Sequence, residues 1–390
     1  MVKRVIEIFT ERGEDNIYAS LFYKPEETIF FVDKYDYDCM PRLEHTIQYL
    51  KQRLPQTVFT YQLLDFSSVL NIDDRMTSLL KESIVDVSGG EDRIIFPLIK
   101  WALKNDVCCT YIDMENQVMF NLADDKKLIE PLAWNRLSVE DIVYLAGGIL
   151  KVGFYEKAPK NTNDMKKLIQ YALKNTEKWN TYSNYFAYIY SNYGSHHQVC
   201  NANINIQGGT VLKKNKVSLI RETLRDLVSM GVIDGLHIKN NNLSFNLIKM
   251  DLVPYITKAG DMLEMHMYFQ MLESGYFDEV KLSSKIEWAM KDFSEFNVPL
   301  LNEIDIVARR KAQLFFISCK SGNVEREHID EIVLLAQRFG IDKTFPMIAT
   351  ATNMHDNYLS ERSAMMGCII IDGIDIKNNR IMQKFYEISK

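Results

Sequence analysis

Leu300 to Gly322 reads LLNEIDIVARRKAQLFFISCKSG. Taken with a period of two, it is a hairpin: a strand LNEIDIVA, a basic polar turn ARRKAQ and a second strand LFFISCK. Alternation puts Ile304 and Ile306 on one face and Glu303 and Asp305 on the other, while Ser318 and Lys320 share a face of the second strand. Two acids opposite a lysine in a mostly apolar hairpin are costly unless something pairs with them. A divalent metal held by the carboxylates, with the lysine beside a bound water, provides that pairing; a charged face meeting solvent is the alternative.

Outward from the hairpin, the spacing predicts an α/β core with a central mixed sheet. Ala259–Glu273 reads as an amphipathic helix with Met262, Met265, Tyr268 and Phe269 for the core, and Glu264 departs from that apolar pattern. His266 reads as a partly exposed helix residue rather than a ligand. Lys285–Met290 is a strand, Glu325–Phe339 a helix, Lys343–Thr350 and Met366–Asp372 strands, and Asn379–Ser389 a closing helix.

With 390 residues the chain has room for two or three domains, and 47% hydrophobic with 25% charged residues is the composition of an ordinary globular protein. A net charge of −6 excludes a generally basic nucleic-acid binder, so any nucleic acid must meet a local basic surface. Arg309, Arg310 and Lys311 in the hairpin turn are one candidate groove, or equally a solvated turn. The six cysteines (Cys39, Cys108, Cys109, Cys200, Cys319, Cys368) form no CxxC pair, which argues against a zinc site and for free thiols in a reducing cytoplasm. MVKRVIEIFTERG runs straight into a strand without a signal-peptide pattern, and no apolar run reaches about 18 residues, so a soluble cytoplasmic protein without a membrane partner is expected.

Residues 1–140 alternate strands and helices: strands at Arg4–Thr10, Thr28–Val32, Thr57–Leu63, Ser83–Val87 and Val107–Asp113, and helices at Met40–Arg53, Asp73–Lys81 and Glu91–Leu103. This order predicts a Rossmann-like parallel sheet. Within it, DVSGGEDRI (Asp86–Ile94) is a strand, a Ser-Gly-Gly turn and a helix N-terminus, a placement of backbone N–H groups suited to a phosphate or other polar ligand. It is neither GxGxxG nor a Walker A loop. The loop Thr10, Glu11, Arg12, Gly13 after the first strand falls at the same sheet edge, which makes a pocket there.

Residues 141–254 read as a connecting region. Val139–Leu150 and Lys166–Leu173 have helical spacing, and the aromatics Tyr182, Tyr185, Phe186, Tyr188, Tyr190 and Tyr193 pack a core or an interface, with base stacking as the alternative. LKKNK, the helix VSLIRETLRDLVSMG and the ribbon VIDGLHI-KNNN-LSFNLI form a winged-helix-like unit that reads DNA or merely connects domains.

An acid on a helix (Glu264), an Asp on a middle strand (Asp305) and Ser318-Cys319-Lys320 on the next strand resemble the PD-(D/E)xK nuclease superfamily over about residues 255–390. The resemblance implies that Glu264, Asp305 and Glu303 hold Mn2+ or Mg2+ and that Lys320 helps to position and activate the attacking water. That superfamily usually has Glu or Asp where this chain has Ser318, so Glu303 or Glu264 is expected to supply the missing charge. Joined to a Rossmann-like domain with a strand–SGG–helix turn, it resembles the CARF-domain nucleases of type III CRISPR systems. That likeness implies a homodimer binding a cyclic oligoadenylate, most often cyclic tetra-adenylate, through Ser88, Gly89, Gly90, Glu91, Asp92 and Arg93 and through Thr10 to Gly13. It further implies metal-dependent, non-specific cleavage of DNA, RNA or both. The rival is a ligand-responsive regulator in which a CARF domain drives a winged helix and the nuclease domain is degenerate. A sequence-specific restriction or junction nuclease ranks third, because it leaves the SGG turn without a purpose.

Overall fold

The computed structural model describes residues 2–388 apart from 37–38, 114–115, 117, 125, 130–136, 153–161, 196, 204–213, 241, 289–300, 312, 341–342 and 355–356. The lysine-rich lead at 212–213, the strand end at Met290, Leu300 and Ser389 therefore lie outside the described residues. By contact density the chain divides into two compact units: 1–151 with 284–316 and 334–345, and 152–283 with 317–333 and 346–390.

The N-terminal part is a Rossmann-like α/β layer. Its elements are β1 (Arg4–Ile8), α1 (Tyr18–Tyr23), β2 (Glu27–Asp33), α2 (Cys39–Arg53), β3 (Val58–Leu64), α3 (Asp74–Lys81), β4 (Ser83–Asp86), α4 (Asp92–Lys104), β5 (Cys109–Asp113), β6 (Val118–Asn121) and β7 (Lys126–Ile129). The seven strands run in the order β3-β2-β1-β4-β5-β6-β7. The first five are parallel, and β6 and β7 close the sheet as an antiparallel pair. Near-continuous apolar runs such as TIFFV suit strands covered on both faces. On one face Ile6, Ile8, Phe31, Val85 and Val87 pack with Met76 and Leu80 of α3 and Ile94 and Leu98 of α4. Asp73 caps α3, accepting from the Met76 N–H at 2.8 Å.

Next come α5 (Val139–Leu145) and β8 (Gly148–Val152). The sequence predicts one helix across Val139–Leu150; instead it ends after one capped segment. Gly147 stands at φ +87°, a backbone conformation that stops a helix, and Ile149, Leu150 and Val152 continue as a strand. The hydrophobic spacing was shared by both outcomes, and the glycine pair decided between them.

The middle holds α6 (Thr162–Lys174), α7 (Thr176–Tyr193), β9 (Gly194–Ser195), β10 (Gln198–Asn203), α8 (Lys214–Ser229), β11 (Ile233–Lys239), β12 (Asn242–Leu247) and the short α9 (Val253–Ile256). The expected helix and ribbon are present. Two strands hidden in the sequence extend the ribbon to an antiparallel sheet of order β11-β12-β10-β9. Trp179, Tyr182, Phe186 and Ile189 of α7 are buried, and Phe186 stacks on Phe245 with centroids 5.8 Å apart. Of the aromatic run, Tyr182 and Phe186 are thus core, Tyr185, Tyr190 and Tyr193 are half-buried and Tyr188 is exposed.

The last part contains α10 (Asp261–Glu273), β13 (Glu279–Trp288), β14 (Leu301–Arg310), β15 (Gln313–Lys320), α11 (Arg326–Phe339), β16 (Lys343–Thr350), α12 (Asn357–Met365), β17 (Ile369–Ile371), α13 (Gly373–Lys377) and α14 (Ile381–Ile388). A six-stranded sheet runs β17-β16-β15-β14-β13-β8. The hairpin turn is shorter than ARRKAQ: Arg309 and Arg310 belong to β14 and Gln313 to β15. Val307, Ala308 and Arg309 are all buried, so alternation fails at the end of β14. Arg309 is 6% exposed and donates to the Lys311 carbonyl at 3.2 Å. It is therefore no part of a surface groove, which leaves Arg310 and Lys311. All six cysteines are free thiols. Among the described residues no helix is long and apolar enough to cross a membrane.

Candidate ligand site and candidate nuclease strands

In the order β3-β2-β1-β4-β5 the chain turns one way from β1 and the other way from β4. The loops leaving the carboxyl ends of these two strands therefore flank a topological switch point, where open α/β sheets bind ligands. These loops are Thr10–Gly13 and Ser88–Glu91, and they meet. Gly89 is buried against the Thr10 side chain, with Asp15 next to it, in space that no side chain could share. Gly90 has φ +109°, a conformation open to glycine and strained for other residues.

Each loop is fixed by its own hydrogen bonds. The Thr10 hydroxyl accepts from the Arg12 N–H at 3.2 Å. The Asn16 amide closes the loop: it accepts from the Thr10 N–H at 3.0 Å and donates to the Thr10 and Arg12 carbonyls at 3.1 and 3.0 Å. On the other loop, the Ser88 hydroxyl donates to Asp86 at 2.9 Å and accepts from the Ile112 N–H at 2.9 Å. Arg93 spans from Glu91 at 2.6 Å to the Ser67 carbonyl at 2.8 Å. Glu11, Arg12, Gly90, Glu91, Asp92 and Arg93 are exposed. The N–H groups of Gly89, Gly90 and Glu91 have no protein acceptor among the described residues. Three such donors before the N-terminus of a 13-residue helix are a backbone arrangement of the kind suited to an anion.

Beneath this turn lie groups the sequence reading passed over. Glu7 and Asp86 are paired in register on the central strands, and each is fully buried. Burial, reinforced by Asp86, pushes the Glu7 carboxyl well above the usual range; burial also lifts Asp86 to about 7, against the pull of its bonds to Thr110 and Ser88. The available signal was a lone acid inside RVIEI and another at the end of SIVD.

The nuclease-like residues sit on three elements. Glu264, on α10, is half-exposed beside buried Leu263 and Met265. His266 is half-buried, and desolvation lowers its pKa to about 4, so it is neutral at physiological pH. On β14, Asp305 is half-exposed between buried Ile304 and Ile306, as alternation requires; Glu303 is exposed and lies 3.8 Å from Lys285 on β13. On β15, Ser318 and Lys320 are half-exposed on either side of buried Cys319. β14 and β15 are neighbours in the sheet order. Among the described residues no group of three or more His, Cys, Asp or Glu side chains is placed to hold a metal ion, so Glu264, Asp305 and Glu303 do not come together as the three-carboxylate set the sequence suggests. Carboxylate and hydroxyl oxygens are hard donors, the kind that Mg2+ or Mn2+ takes from one or two carboxylates while keeping several waters.

A doubly wound sheet with two opposed loops at its switch point defines a Rossmann-like architecture, here on a chain that also carries a second α/β sheet. Two solved structures share the fold over the whole chain. The first is protein VC1899 from Vibrio cholerae, with TM-score 0.73, 12% identity and coverage of 100% of this chain and 99% of that one. The second is Can2 from Sulfobacillus thermosulfidooxidans, solved in complex with cyclic tetra-adenylate, with TM-score 0.66, 15% identity and coverage of 100% and 98%. No protein-family model and no curated protein matches the sequence.

Proposed function

We propose that this chain is a cyclic-oligoadenylate-activated, divalent-metal-dependent endonuclease of type III CRISPR defence, acting as a homodimer. The observation that carries the reading is the meeting of Thr10 and Gly89 at the switch point, beside three N–H groups without protein acceptors. A cyclic oligoadenylate offers a phosphate for those donors, and its ring symmetry suits two such pockets related by a two-fold axis. The full-length fold similarity to Can2, solved with cyclic tetra-adenylate, supports this choice of ligand. Exposed Phe96 and Leu103 on α4, one face two turns apart, support a second copy.

In this reading residues 1–140 sense the ligand, 141–254 connect, and 255–390 cut. Asp305 and Glu264 would hold Mn2+ or Mg2+, with Glu303 adding charge from the same face of β14. When bound, the ion supplies Lewis-acid stabilisation and acidifies a water. The Lys320 ammonium holds positive charge beside the attacked phosphate and orients the water, while the Ser318 hydroxyl contacts the phosphate or the ion. Arg310 and Lys311 bind the substrate backbone with little sequence preference. The ligand shifts the dimer toward the cutting state only by binding that state more tightly.

The test is cleavage of single-stranded DNA, supercoiled DNA and RNA with Mn2+ or Mg2+, with and without cyclic tetra-adenylate, beside Asp305→Ala and Lys320→Ala. Cleavage that needs both additions and disappears in both variants is the expected result. The rival, a ligand-responsive regulator with a degenerate nuclease domain, is favoured by Ser318 standing in place of an acid. It predicts tight ring binding and no cleavage under any condition.

A further inference from the structure

A row of buried polar side chains crosses the N-terminal sheet beneath the ligand turn. Thr28 of β2 meets Ser20 of α1 at 2.8 Å; Ser20 donates to Glu7 Oε1 from its N–H at 2.9 Å and from its hydroxyl at 2.5 Å. Among the described residues Glu7 Oε2, which is buried, has no hydrogen-bond partner. Across the register from Glu7, Asp86 Oδ1 accepts from Thr110 at 2.8 Å and from the Ser88 hydroxyl, and Oδ2 accepts from the Ser88 N–H at 3.3 Å. Asp86 therefore grips the first residue of the Ser88-Gly89-Gly90 turn by both its backbone and its side chain.

The groups around this pair are acids or neutral. Asp15, in the loop before α1, adds to the electrostatic load on Glu7. Tyr23 of α1 and Cys109 of β5 are in turn raised in part by Asp86. Two carboxyls on neighbouring strands in a dry layer, with no cation among the groups acting on them, cannot both be ionised at modest cost. Full ionisation places negative charge directly under a turn that offers its N–H groups to an anion.

We propose that Asp86, seated beside Glu7, is the positioning residue of the ligand turn, and that anionic ligand and proton bind to this site cooperatively. The inference rests on the reading of the turn as the ligand site. While the Glu7–Asp86 pair keeps a proton, Asp86 holds Ser88 and the turn faces the ligand phosphate without opposing charge. Losing that proton sets like charge against the phosphate. Linkage requires the reverse as well: ligand binding draws a proton onto the pair. Ser88 acts through the turn, since its hydroxyl proton is committed to Asp86.

The experiment measures cyclic tetra-adenylate affinity by calorimetry from about pH 6 to about pH 8.5, in two buffers of different ionisation enthalpy. The variants are Glu7→Gln, Asp86→Asn, Ser88→Ala and Ser88→Thr in the full-length protein. Wild-type affinity is expected to fall about five- to tenfold as pH rises, with net proton uptake on binding. Glu7→Gln flattens the profile and keeps affinity at high pH. Asp86→Asn flattens it too but binds more weakly throughout. Ser88→Ala weakens binding, and Ser88→Thr, which keeps the hydroxyl, restores it. A flat wild-type profile, or a Glu7→Gln profile that matches wild type, overturns the proton coupling while leaving the ligand site standing. No binding by the folded wild type at any pH overturns the ligand reading and this inference with it.

Discussion

Gly89 lies against Thr10 so closely that a Cβ on the glycine would stand 2.5 Å from Thr10 Cγ2 and 3.0 Å from Thr10 Oγ1. The two residues sit on loops from different strands, so their contact fixes the spacing of the two loops. Because both loops are otherwise tied within themselves, by Asn16 on one side and Asp86 on the other, neither gives way easily.

Gly89→Ala therefore forces the loops apart. Its expected effect is a loss of cyclic tetra-adenylate affinity of about tenfold or more, with the sheet intact by circular dichroism. Thr10→Ser removes the methyl group that the new Cβ meets and keeps the hydroxyl bond to Arg12. The double variant should recover part of the loss. Strict additivity of the two effects would show that the contact does not set the pocket.

The Glu7–Asp86 pair also makes a prediction about stability. An acid whose folded pKa is raised keeps its proton in the folded chain at a pH where the unfolded chain has released it. The folded state then binds more protons, and stability falls as pH rises from the unfolded carboxyl range toward the folded value, about 7 for Asp86. For Asp86 the loss is complete above that value, and for Glu7 it continues until its own raised pKa is passed. Glu7→Gln removes one charge, and its amide supplies a donor where Glu7 Oε2 has no partner. Urea denaturation at about pH 8 should show the variant more stable than wild type by about 1–3 kcal/mol, with little difference near pH 4. Equal stability at the higher pH would refute the cost assigned to the pair.

What could be read from the sequence was what local pattern controls. The strands TIFFV and SIVDV, the SGG turn and the two hairpin strands each announce themselves through a short apolar period and a turn residue, and each stands where expected, with the hairpin turn shorter than the sequence suggests. β8 was misread because its residues continue the helical spacing of α5, and only Gly147 at positive φ separates them. Arg309 was misread because alternation assumes one wet face, and the end of β14 has none. Glu7 and Asp86 escaped notice for a different reason: each is one acid in an apolar strand, and only the parallel register sets them side by side. Ser88 was legible as a residue of the strand-to-helix turn, but its inward hydrogen bonds were not.

On β14 Asp305 is half-exposed between buried Ile304 and Ile306, and on β15 Lys320 is half-exposed after buried Cys319. Replacing either polar group leaves those core contacts in place. Asp305→Asn and Lys320→Ala should each reduce cleavage by at least about a hundredfold while cyclic tetra-adenylate affinity stays within about twofold of wild type. Loss of ring binding in either variant would mean that the change acts through the fold rather than through the chemistry.

Ser318 supplies the last prediction. A hydroxyl is a weaker ligand for a hard dication than a carboxylate, and affinity for such ions rises with the number of charged oxygens. If the ion sits beside Asp305, then Ser318→Asp should lower the Mn2+ concentration for half-maximal cleavage by several-fold. Glu303→Gln should raise it, but by less than Asp305→Asn, because the Glu303 carboxylate is 63% exposed and already faces Lys285 at 3.8 Å. A Mn2+ titration of the three variants, with cyclic tetra-adenylate saturating, ranks them. Should Ser318→Asp leave the midpoint unchanged, the ion does not contact this position, and Ser318 acts on the phosphate alone. Should Glu303→Gln match Asp305→Asn, then Glu303 is a full ligand and its pairing with Lys285 must break when the ion binds.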